Sequence, residues 1–239
     1  MLRKSLTKVL PDRLRRRAEV FLVDHGWPVR KKLGARGIEQ LGHRGYVGRA
    51  DAFEARGRHQ HQFLMEHGLR PSHVLCDIGC GSLRGGKYFI AYLDREHYLG
   101  LEAEPQLVEL GLAHEVRPEL VAAKAPEFVY SSTFEFDRFS KSPDFVLAVS
   151  VFSHLTADDI RLCLANLARR VGGSCRLFAS FFRAAAQYPN FKRSHAHLGF
   201  YHTTDQMKEF GLETGWAASF IGEWGSPSGQ QMMEFRIGD

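Results

Sequence analysis

Two acidic side chains and a glycine-rich turn have the spacing of a cofactor site. Asp77 lies near the end of an apolar run and is followed by the turn Gly79-Cys80-Gly81, and a second apolar run ends in Glu102. Glycines let a backbone approach a ligand closely, and a carboxylate after a second strand can accept hydrogen bonds from ribose hydroxyls. This spacing predicts a site for a nucleotide-bearing cofactor.

A histidine and a serine follow a later apolar run, residues 145–149. Histidine changes its protonation state near neutral pH, so His154 is a candidate general base for a hydroxyl group. The alternative is that His154 only shapes the pocket or caps the helix that begins at Thr156. Ser150 lies at the end of the predicted strand, where we expect it to touch the cofactor.

These residues need a scaffold in which strands and helices alternate. Apolar runs predict strands over 73–78, 97–102, 128–130, 145–149, 174–180, 216–221 and 230–237. Helices are predicted over 50–67 and 84–93, from Pro105, from Thr156 to Gly172-Gly173, and from Thr203 to Gly211. Two helix starts resemble capping boxes, Thr156 with Asp159 and Thr203 with Gln206. The alternation predicts an α/β fold, a doubly wound Rossmann-like parallel sheet whose terminal hairpin adds one antiparallel strand.

The N-terminal part differs from the rest in composition. Residues 1–49 are predicted to form a basic arm, partly helical or flexible, and residues 50–239 the sheet domain. Within the arm, residues 1–33 fit an amphipathic helix interrupted by Pro11, Gly26 and Pro28, and five glycines predict a loop over residues 34–48.

The charge of the chain is concentrated in this arm. Residues 1–50 hold 13 Lys/Arg against 4 Asp/Glu, a net charge of +9, whereas the remaining 19 basic and 23 acidic residues give −4. Such an arm can bind nucleic acid, anionic lipid or an acidic protein, or it can be a solvated surface.

Length and composition bound the remaining possibilities. The chain has 239 residues, of which 44% are apolar, enough for one α/β domain with an appendage. No apolar run approaches the roughly 18 residues of a membrane span, and no signal peptide is recognisable. The four cysteines lack zinc-site spacing, and a disulfide framework is not expected in a domain of this size, so we expect a cytoplasmic protein.

The ordered set of motifs resembles the class I methyltransferases that use S-adenosylmethionine (SAM). The turn after Asp77 is similar to the family's first motif, Glu102 to the acid after its second strand, and residues 145–155 to its fourth strand with the active-site exit. The resemblance covers about residues 50–239 and implies a seven-stranded sheet with the last strand antiparallel. It implies SAM as the cofactor.

The resemblance also implies which residues bind SAM: Asp77, Gly79, Cys80, Gly81, Glu102 and Ser150. Arg58 belongs to a donor-rich segment that lies over the cofactor in related enzymes, where it would pair with the SAM carboxylate. The acid that often contacts adenine after the third strand has no match, since 131–134 reads Ser-Ser-Thr-Phe. Phe134 is therefore predicted to pack on the adenine ring, or backbone groups to bind it.

Rival cofactors fit the same turn less well. Arg84 occupies the place of the third glycine in the dinucleotide pattern G-x-G-x-x-G, although a looser variant through Gly85 leaves a dehydrogenase open. A Walker loop is excluded because no G-K-[ST] follows the glycines. We expect no metal, since His195 and His197 lack a third ligand at suitable spacing.

The acceptor class follows by elimination. The chain lacks the Asn/Asp-Pro-Pro motif of adenine N-methylation, a Pro-Cys nucleophile and the paired glutamates of arginine methyltransferases. What remains is O- or N-methylation of a small molecule: a metabolite, sugar or lipid-linked precursor. Alternatives are an RNA methyltransferase that uses the basic arm, although the arm lacks interleaved aromatic residues, and a non-catalytic SAM-binding subunit. Peripheral membrane contact through the arm stays open, as does the oligomeric state.

Overall fold

A computed structural model describes residues 11–26 and 34–237. Its helices are α1 (Asp12–Asp24), α2 (Gly34–Tyr46), α3 (Phe53–Glu66), α4 (Gly86–Tyr92), α5 (Pro105–Glu115), α6 (Pro118–Lys124), α7 (Ala157–Ala168) and α8 (Thr204–Glu213). Its strands are β1 (Leu75–Ile78), β2 (Tyr98–Glu102), β3 (Glu127–Tyr130), β4 (Phe145–Ala148), β5 (Arg176–Arg183), β6 (Tyr201–His202), β7 (Trp216–Gly222) and β8 (Gln231–Ile237). Short 3-10 turns lie at Ala50–Ala52, Phe136–Arg138 and Phe152–His154.

The strands form one mixed sheet with the order β3-β2-β1-β4-β5-β8-β7, and the two-residue β6 pairs with β5 beside this path. Strand β8 is antiparallel to both β5 and β7, whereas the pairs among β1 to β5 are parallel. The predicted fold class is therefore confirmed. In such a sheet the carboxyl ends of the parallel strands lie on one edge, so the loops after β1, β2 and β4 converge there.

The core lies on both faces of the sheet, as the alternation of side chains along a strand requires. Leu75 pairs with Tyr98 across β1 and β2, and both belong to one buried cluster. The next pair, Cys76 and Leu99, belongs to the cluster on the opposite face. Every residue of β1, β2 and β4 is buried, which is typical of central parallel strands with helices on both sides.

Two helix starts agree with the sequence. The Thr156 side chain accepts a hydrogen bond from the Asp159 backbone N–H at 3.2 Å. At the start of α8, Thr203 and Gln206 make both hydrogen bonds of a capping box. Both predicted starts are confirmed.

The ends of these helices lie elsewhere than predicted. Helix α7 ends at Ala168, before Gly172-Gly173, and α8 continues through Gly211 to Glu213. A Cβ at Gly211 would lie 3.1 Å from the Trp216 carbonyl oxygen, so this glycine serves close packing against β7 and does not end the helix. The prediction mistook a packing glycine for a stop signal.

The predicted loop over residues 34–48 is wrong, because most of it forms α2. This helix changes direction at Gly42, where φ is 70° and ψ is 160°. Ile38 and Tyr46 pack with Leu107 of α5 in a small buried cluster. Tertiary packing overrides the low helix propensity of the glycines.

An ion-pair cluster fixes α2 to the domain. Glu115 accepts hydrogen bonds from Arg44 at 2.6 and 2.8 Å, from His43 at 2.9 Å and from Lys87 at 2.9 Å. Burial works against the ionised form of Glu115, but these donors hold its pKa at about 2. The Glu115 side chain is buried, and without α2 it would lose the hydrogen bonds from Arg44 and His43 and keep only the ion pair with Lys87 of α4.

The basic arm is partly helical. Helix α1 lies between Pro11 and Gly26, two of the three interruptions expected from the sequence. Residues 1–10 and 27–33, which include Pro28 and a second basic run, lie outside the described residues. The boundary of the arm at residue 49 stays a prediction.

Two further observations concern the described part of the chain. Within 11–26 and 34–237, no helix combines the length and the apolar character that a bilayer crossing requires. All four cysteines are free and buried.

Candidate functional site

The turn after β1 has a backbone that favours glycine. Gly79 and Gly81 have φ angles of +65° and +54°. A Cβ at Gly79 would lie 2.6 Å from Cγ2 of Val151, and a Cβ at Gly81 would lie 2.9 Å from Cγ1 of Val47. The Gly79 N–H donates to the Leu101 carbonyl at 2.7 Å, which ties the turn to β2. The side chains of Val151 and Val47 therefore lie against the backbone of the turn and leave no space for a Cβ at either glycine.

Glu102 lies directly beside this turn. One carboxylate oxygen accepts from the Gly81 N–H at 2.8 Å, and the other accepts from the N–H groups of Ala103 and Glu104 at 2.9 and 3.0 Å. Burial raises the pKa of Glu102, and these backbone donors oppose the rise. The carboxylate is thus held in one orientation at the sheet edge, where it can accept hydrogen bonds from a diol.

Asp77 is a buried carboxyl group in β1. It accepts a hydrogen bond from the Tyr98 hydroxyl at 2.9 Å. Burial raises its pKa to about 7, while the Tyr98 hydrogen bond and the charge of Arg84 act in the opposite direction. A carboxyl group that is half ionised at neutral pH responds strongly to a nearby cation.

Cys80 and Phe134 are oriented towards the protein interior. The Cys80 thiol is buried in a core cluster, and its pKa is raised well above the ordinary value by burial. Phe134 is buried in the other core cluster with a φ of +60°, and its carbonyl accepts from the Asn166 side chain at 3.1 Å. Cys80 can therefore serve a ligand through its backbone, and the adenine contact of Phe134 stays a prediction.

Ser150 follows β4 and is part of a small polar network. Its backbone N–H donates to the Ser180 hydroxyl at 2.8 Å, and its own hydroxyl accepts from the Gln230 amide at 3.0 Å. Ser150 also has a positive φ of 60°. The network joins the exits of β4 and β5 to the start of β8, on the same edge as the glycine turn.

His154 lies in the 3-10 turn after β4 and contacts the segment 184–200. Its Nδ1 lies 2.8 Å from the Leu198 carbonyl oxygen, and its backbone carbonyl accepts from the His195 N–H at 3.1 Å. A carbonyl only accepts, so Nδ1 carries the proton. The neutral ring then has its basic lone pair on Nε2, the tautomer that a general base requires.

A small cavity beside Ser150 contains two arginines. It is lined by Arg56, His59, Gln60, Arg84, Val149, Ser150, Trp224, Ser226 and Ser228. The Nη1 atoms of Arg56 and Arg84 both lie 3.4 Å from the point where a Cβ of Gly48 would stand. Burial, with the like charge of Arg56, lowers the pKa of Arg84 to about 10. In the described part of the chain, the buried Nε atoms of both arginines have no hydrogen-bond partner.

Arg58, the arginine expected in this role, is exposed on α3. The buried stripe of α3 contains Phe53, Gly57 and Gln60. Arg56 borders this stripe, whereas Arg58 lies on the other side of the helix. Helical periodicity could therefore have identified Arg56 from the sequence. The binding role of Arg58 stays a prediction.

Helix α2 covers the cofactor edge. The Tyr46 hydroxyl accepts from the Gly34 N–H at 3.1 Å, and burial, with the charges of Glu104 and Glu102, raises its pKa. The Tyr46 ring lies edge-on to His197, with 4.9 Å between the ring centroids. Tyr46 is therefore close to both Glu102 and the segment 184–200.

Helix α1 is fixed to that segment through Arg16. Its Nε donates to the Pro189 carbonyl at 3.2 Å, and its Nη2 donates to the Gly199 carbonyl. The guanidinium lies 4.2 Å from the centroid of the Phe191 ring. One buried arginine thus contacts the segment at Pro189, at Phe191 and near its end at Gly199.

A wider cleft lies between α1 and the segment, with a volume of about 750 Å³. It is lined by Arg13, Leu14, Arg17, Ala186, Gln187, Tyr188 and Pro189. Among residues 11–26 and 34–237, no group of three His, Cys, Asp or Glu side chains could hold a metal ion.

The comparisons with known proteins were made on sequence and on structure. The sequence model of a methyltransferase domain matches residues 76–176, a stretch that contains Asp77, the glycine turn, Glu102 and His154. A search of curated proteins found no match.

Several solved structures are similar to the chain. Magnesium protoporphyrin IX methyltransferase from Synechocystis PCC 6803 with bound S-adenosylhomocysteine has a TM-score of 0.61 and 15% identity, over 86% of this chain and 96% of that one. The SAM-bound amino pentose methyltransferase from Micromonospora echinaspora has a TM-score of 0.57 and 14% identity, over 77% and 94%. Human N-acetylserotonin methyltransferase with SAM has a TM-score of 0.61 and 13% identity, over 92% and 62%. At these identities the likeness establishes the fold.

Proposed function

We propose that the chain is a SAM-dependent methyltransferase of class I, which transfers the methyl group to an oxygen or nitrogen atom of a small-molecule acceptor. The observation that carries the proposal is the meeting of three features at one sheet edge. The glycine turn and Glu102 lie at the cofactor end, and His154 lies where the segment 184–200 closes over the exit of β4. The solved relatives named above act on a porphyrin, an amino pentose and N-acetylserotonin, all small molecules.

The groups at this edge match three parts of SAM: the ribose hydroxyls, the methionine ammonium and the methionine carboxylate. Glu102 would accept hydrogen bonds from the ribose hydroxyls, and the turn Gly79-Cys80-Gly81 would pass close to the cofactor with its backbone. Asp77 would face the ammonium group. Two arginine side chains with unpartnered buried Nε atoms need an anion, and the SAM carboxylate supplies one. We therefore assign the carboxylate to Arg56 and Arg84.

SAM brings a methyl group on a sulfonium, which is already a good leaving group, so the protein has to align the acceptor and remove its proton. The aligning surface is the segment 184–200, to which Arg16 donates hydrogen bonds at Pro189 and Gly199. Helix α2 covers the turn through Val47 and Tyr46 and would exclude water from the reacting atoms. Only this short segment separates β5 from β6, so there is no room for a large substrate domain.

The base is assigned to His154 acting through Nε2. We expect His154→Gln to reduce turnover by about 100-fold or more, because a positioned general base contributes roughly 10²–10⁴ in rate. SAM affinity should stay within about twofold of the wild-type value, which corresponds to about 0.4 kcal/mol of binding free energy. The measurement is S-adenosylhomocysteine formation against a panel of phenols and amino sugars, together with calorimetric titration of SAM.

The matched control is His73→Gln, since His73 precedes β1 and stacks on Phe145, the first residue of β4, at the opposite edge of the sheet. Its turnover should equal that of the wild type. Unchanged turnover in His154→Gln would leave His154 as a residue that shapes the pocket. Failure of the wild-type protein to methylate any member of the panel, with intact SAM binding, would favour a different acceptor class.

SAM affinity should depend on pH through Asp77. The folded protein without cofactor keeps Asp77 partly protonated up to about pH 7, and the cofactor ammonium favours the ionised form. Affinity should therefore rise between about pH 6 and pH 8, with release of a proton on binding, and Asp77→Asn should bind more weakly and without this pH dependence. Titration calorimetry in two buffers of different ionisation enthalpy measures the released proton.

The same carboxyl group should affect stability with the opposite sense. Its pKa is raised in the folded state, so the folded protein binds more protons than the unfolded chain from about pH 4 to pH 7. Across this range the free energy of unfolding should fall as pH rises, and Asp77→Asn should remove that part of the fall. Proton release on SAM binding that persists in the Asp77→Asn variant would contradict the role of Asp77 in cofactor binding.

A further inference from the structure

The outer face of α1 carries exposed apolar side chains. The inner face is occupied by Arg16, which is buried against the segment 184–200. On the opposite side, Leu14 is 48% exposed, Phe21 61% and Leu22 41%. Leu14 also borders the cleft towards the segment 184–200, and Phe21 stacks on His25 with 4.1 Å between the ring centroids. The phenylalanine and the two leucines therefore form an apolar stripe along a helix of 13 residues that remains open to solvent.

Arginines border this stripe on both sides. Residues seven apart lie on one face of a helix, so Leu14 and Phe21 are aligned along its axis. Arg13 and Arg17 fall on one flank of this line and Arg15 on the other, and all three are exposed. A helix with a central apolar stripe and flanking basic residues is typical of segments that lie in the headgroup region of a bilayer.

The charge distribution of the chain also favours an anionic surface as the partner. Residues 1–50 carry a net charge of +9, whereas the rest of the chain carries −4. Helix α1 itself has four arginines against three acidic residues, a net charge of +1, and the rest of residues 1–50 carries the remainder. An anionic surface would therefore attract the N-terminal part of the chain and repel the sheet domain, so that the N-terminal part faces that surface.

We propose that α1 binds the surface of an anionic lipid bilayer, with Leu14, Phe21 and Leu22 inserted among the headgroups and Arg13, Arg15 and Arg17 paired with lipid phosphates. Exposed aliphatic side chains gain free energy in a bilayer and gain nothing on a phosphate backbone. A single-stranded nucleic acid would need several aromatic stacking platforms, and Phe21 is the only aromatic side chain of α1 apart from His25 at its end. The bilayer is therefore the partner that matches both the stripe and its charged borders.

The position of this surface also indicates the chemical class of the acceptor, an inference that rests on the proposed function. Arg16 ties α1 directly to the segment 184–200, and the cleft between them is lined by Arg13, Arg17 and Tyr188. A helix lying on the bilayer would hold this cleft at the lipid–water boundary. The acceptor class favoured by this arrangement is an amphiphile with an anionic group, such as a lipid-linked precursor.

The test is co-sedimentation of the full chain with vesicles of phosphatidylcholine, alone and mixed with an equal amount of phosphatidylglycerol. We expect binding to the mixed vesicles that weakens as salt is added, and little binding to phosphatidylcholine alone. The double variant Leu14→Glu/Phe21→Glu should bind the mixed vesicles at least about tenfold more weakly, because it loses the apolar insertion.

A control for the added glutamates is Leu212→Glu on α8, which places one such charge at an apolar side chain that is 80% exposed. It should bind vesicles as the wild type does. Titration with SAM shows that each variant is folded, and it separates failure of this proposal from failure of the proposed function. Equal vesicle binding by the double variant and the wild type would overturn the proposal. So would displacement of the protein from mixed vesicles by an RNA oligonucleotide with no effect of the two substitutions on RNA binding.

Discussion

Replacing Glu102 by alanine should weaken SAM binding by at least about tenfold while leaving the protein folded. The carboxylate is fixed by three backbone donors beside the glycine turn, so it is already in place for the ribose hydroxyls. A hydrogen bond to a charged group contributes about 1.5–3 kcal/mol, and one such bond corresponds to a tenfold or larger change in affinity. Isothermal titration calorimetry of both proteins with SAM measures the effect.

Two further variants test whether the loss of SAM affinity comes from the Glu102 carboxylate. Glu102→Gln keeps the shape and one acceptor oxygen, so its affinity should lie between those of the wild type and Glu102→Ala. Glu119→Ala removes an exposed carboxylate from the first turn of α6 and should leave SAM affinity unchanged. Equal SAM affinity in Glu102→Ala and the wild type would show that the ribose lies elsewhere.

Among the substitutions proposed for this protein, replacing Gly57 by alanine should cause the largest loss of folding stability. A Cβ at this position of α3 would overlap the backbone carbonyl oxygen of Arg84 and lie 2.8 Å from Cε2 of Tyr88. A backbone carbonyl cannot move aside as a flexible side chain does, so α3 has to shift away from the turn before α4. Overpacking of this kind costs about 2–3 kcal/mol, which exceeds the gain of about 1 kcal/mol from the higher helix propensity of alanine.

Thermal unfolding followed by circular dichroism measures this loss, which should appear as a midpoint lower by about 3–8 °C. The matched control is Gly172→Ala, because a Cβ at Gly172 would meet nothing within 4 Å. An equal midpoint for the two alanine variants would contradict the close approach of α3 and the Arg84 carbonyl. Weaker SAM binding in Gly57→Ala is also expected, since the shift moves Arg56 relative to Arg84.

The parallel strands were predictable because their signals are local. A central strand is buried on both faces, so it appears in the sequence as a continuous apolar run, as in residues 145–148. The carboxyl ends of such strands share one edge, which is why Asp77, Glu102 and Ser150 could be assigned to the same region before their positions were known.

Helix α2 was not predictable, because its stability comes from distant residues. Five glycines in residues 34–48 favour a loop by local propensity. The helix forms because Arg44 and His43 reach the buried Glu115 and because Ile38 packs on α5. These partners lie about seventy residues further along the chain, and no local pattern identifies them.

The arginine cavity illustrates an intermediate case. The sequence drew attention to the donor-rich stretch around Arg58, the helix segment that also contains Arg56. The choice between Arg56 and Arg58 depends on the buried face of α3, which Phe53, Gly57 and Gln60 define. Arg84 was met only as a residue that interrupts a dinucleotide pattern, since its role depends on the approach of α3 and the turn at Gly48.

The central claim is that the edge formed by Asp77, the glycine turn and Glu102 holds SAM. The most direct test is calorimetric titration of the purified full chain with SAM and, separately, with NADH. We predict one micromolar binding site for SAM and no binding of NADH. Binding of NADH, or the absence of SAM binding by a folded protein, would contradict the account and leave only the doubly wound fold.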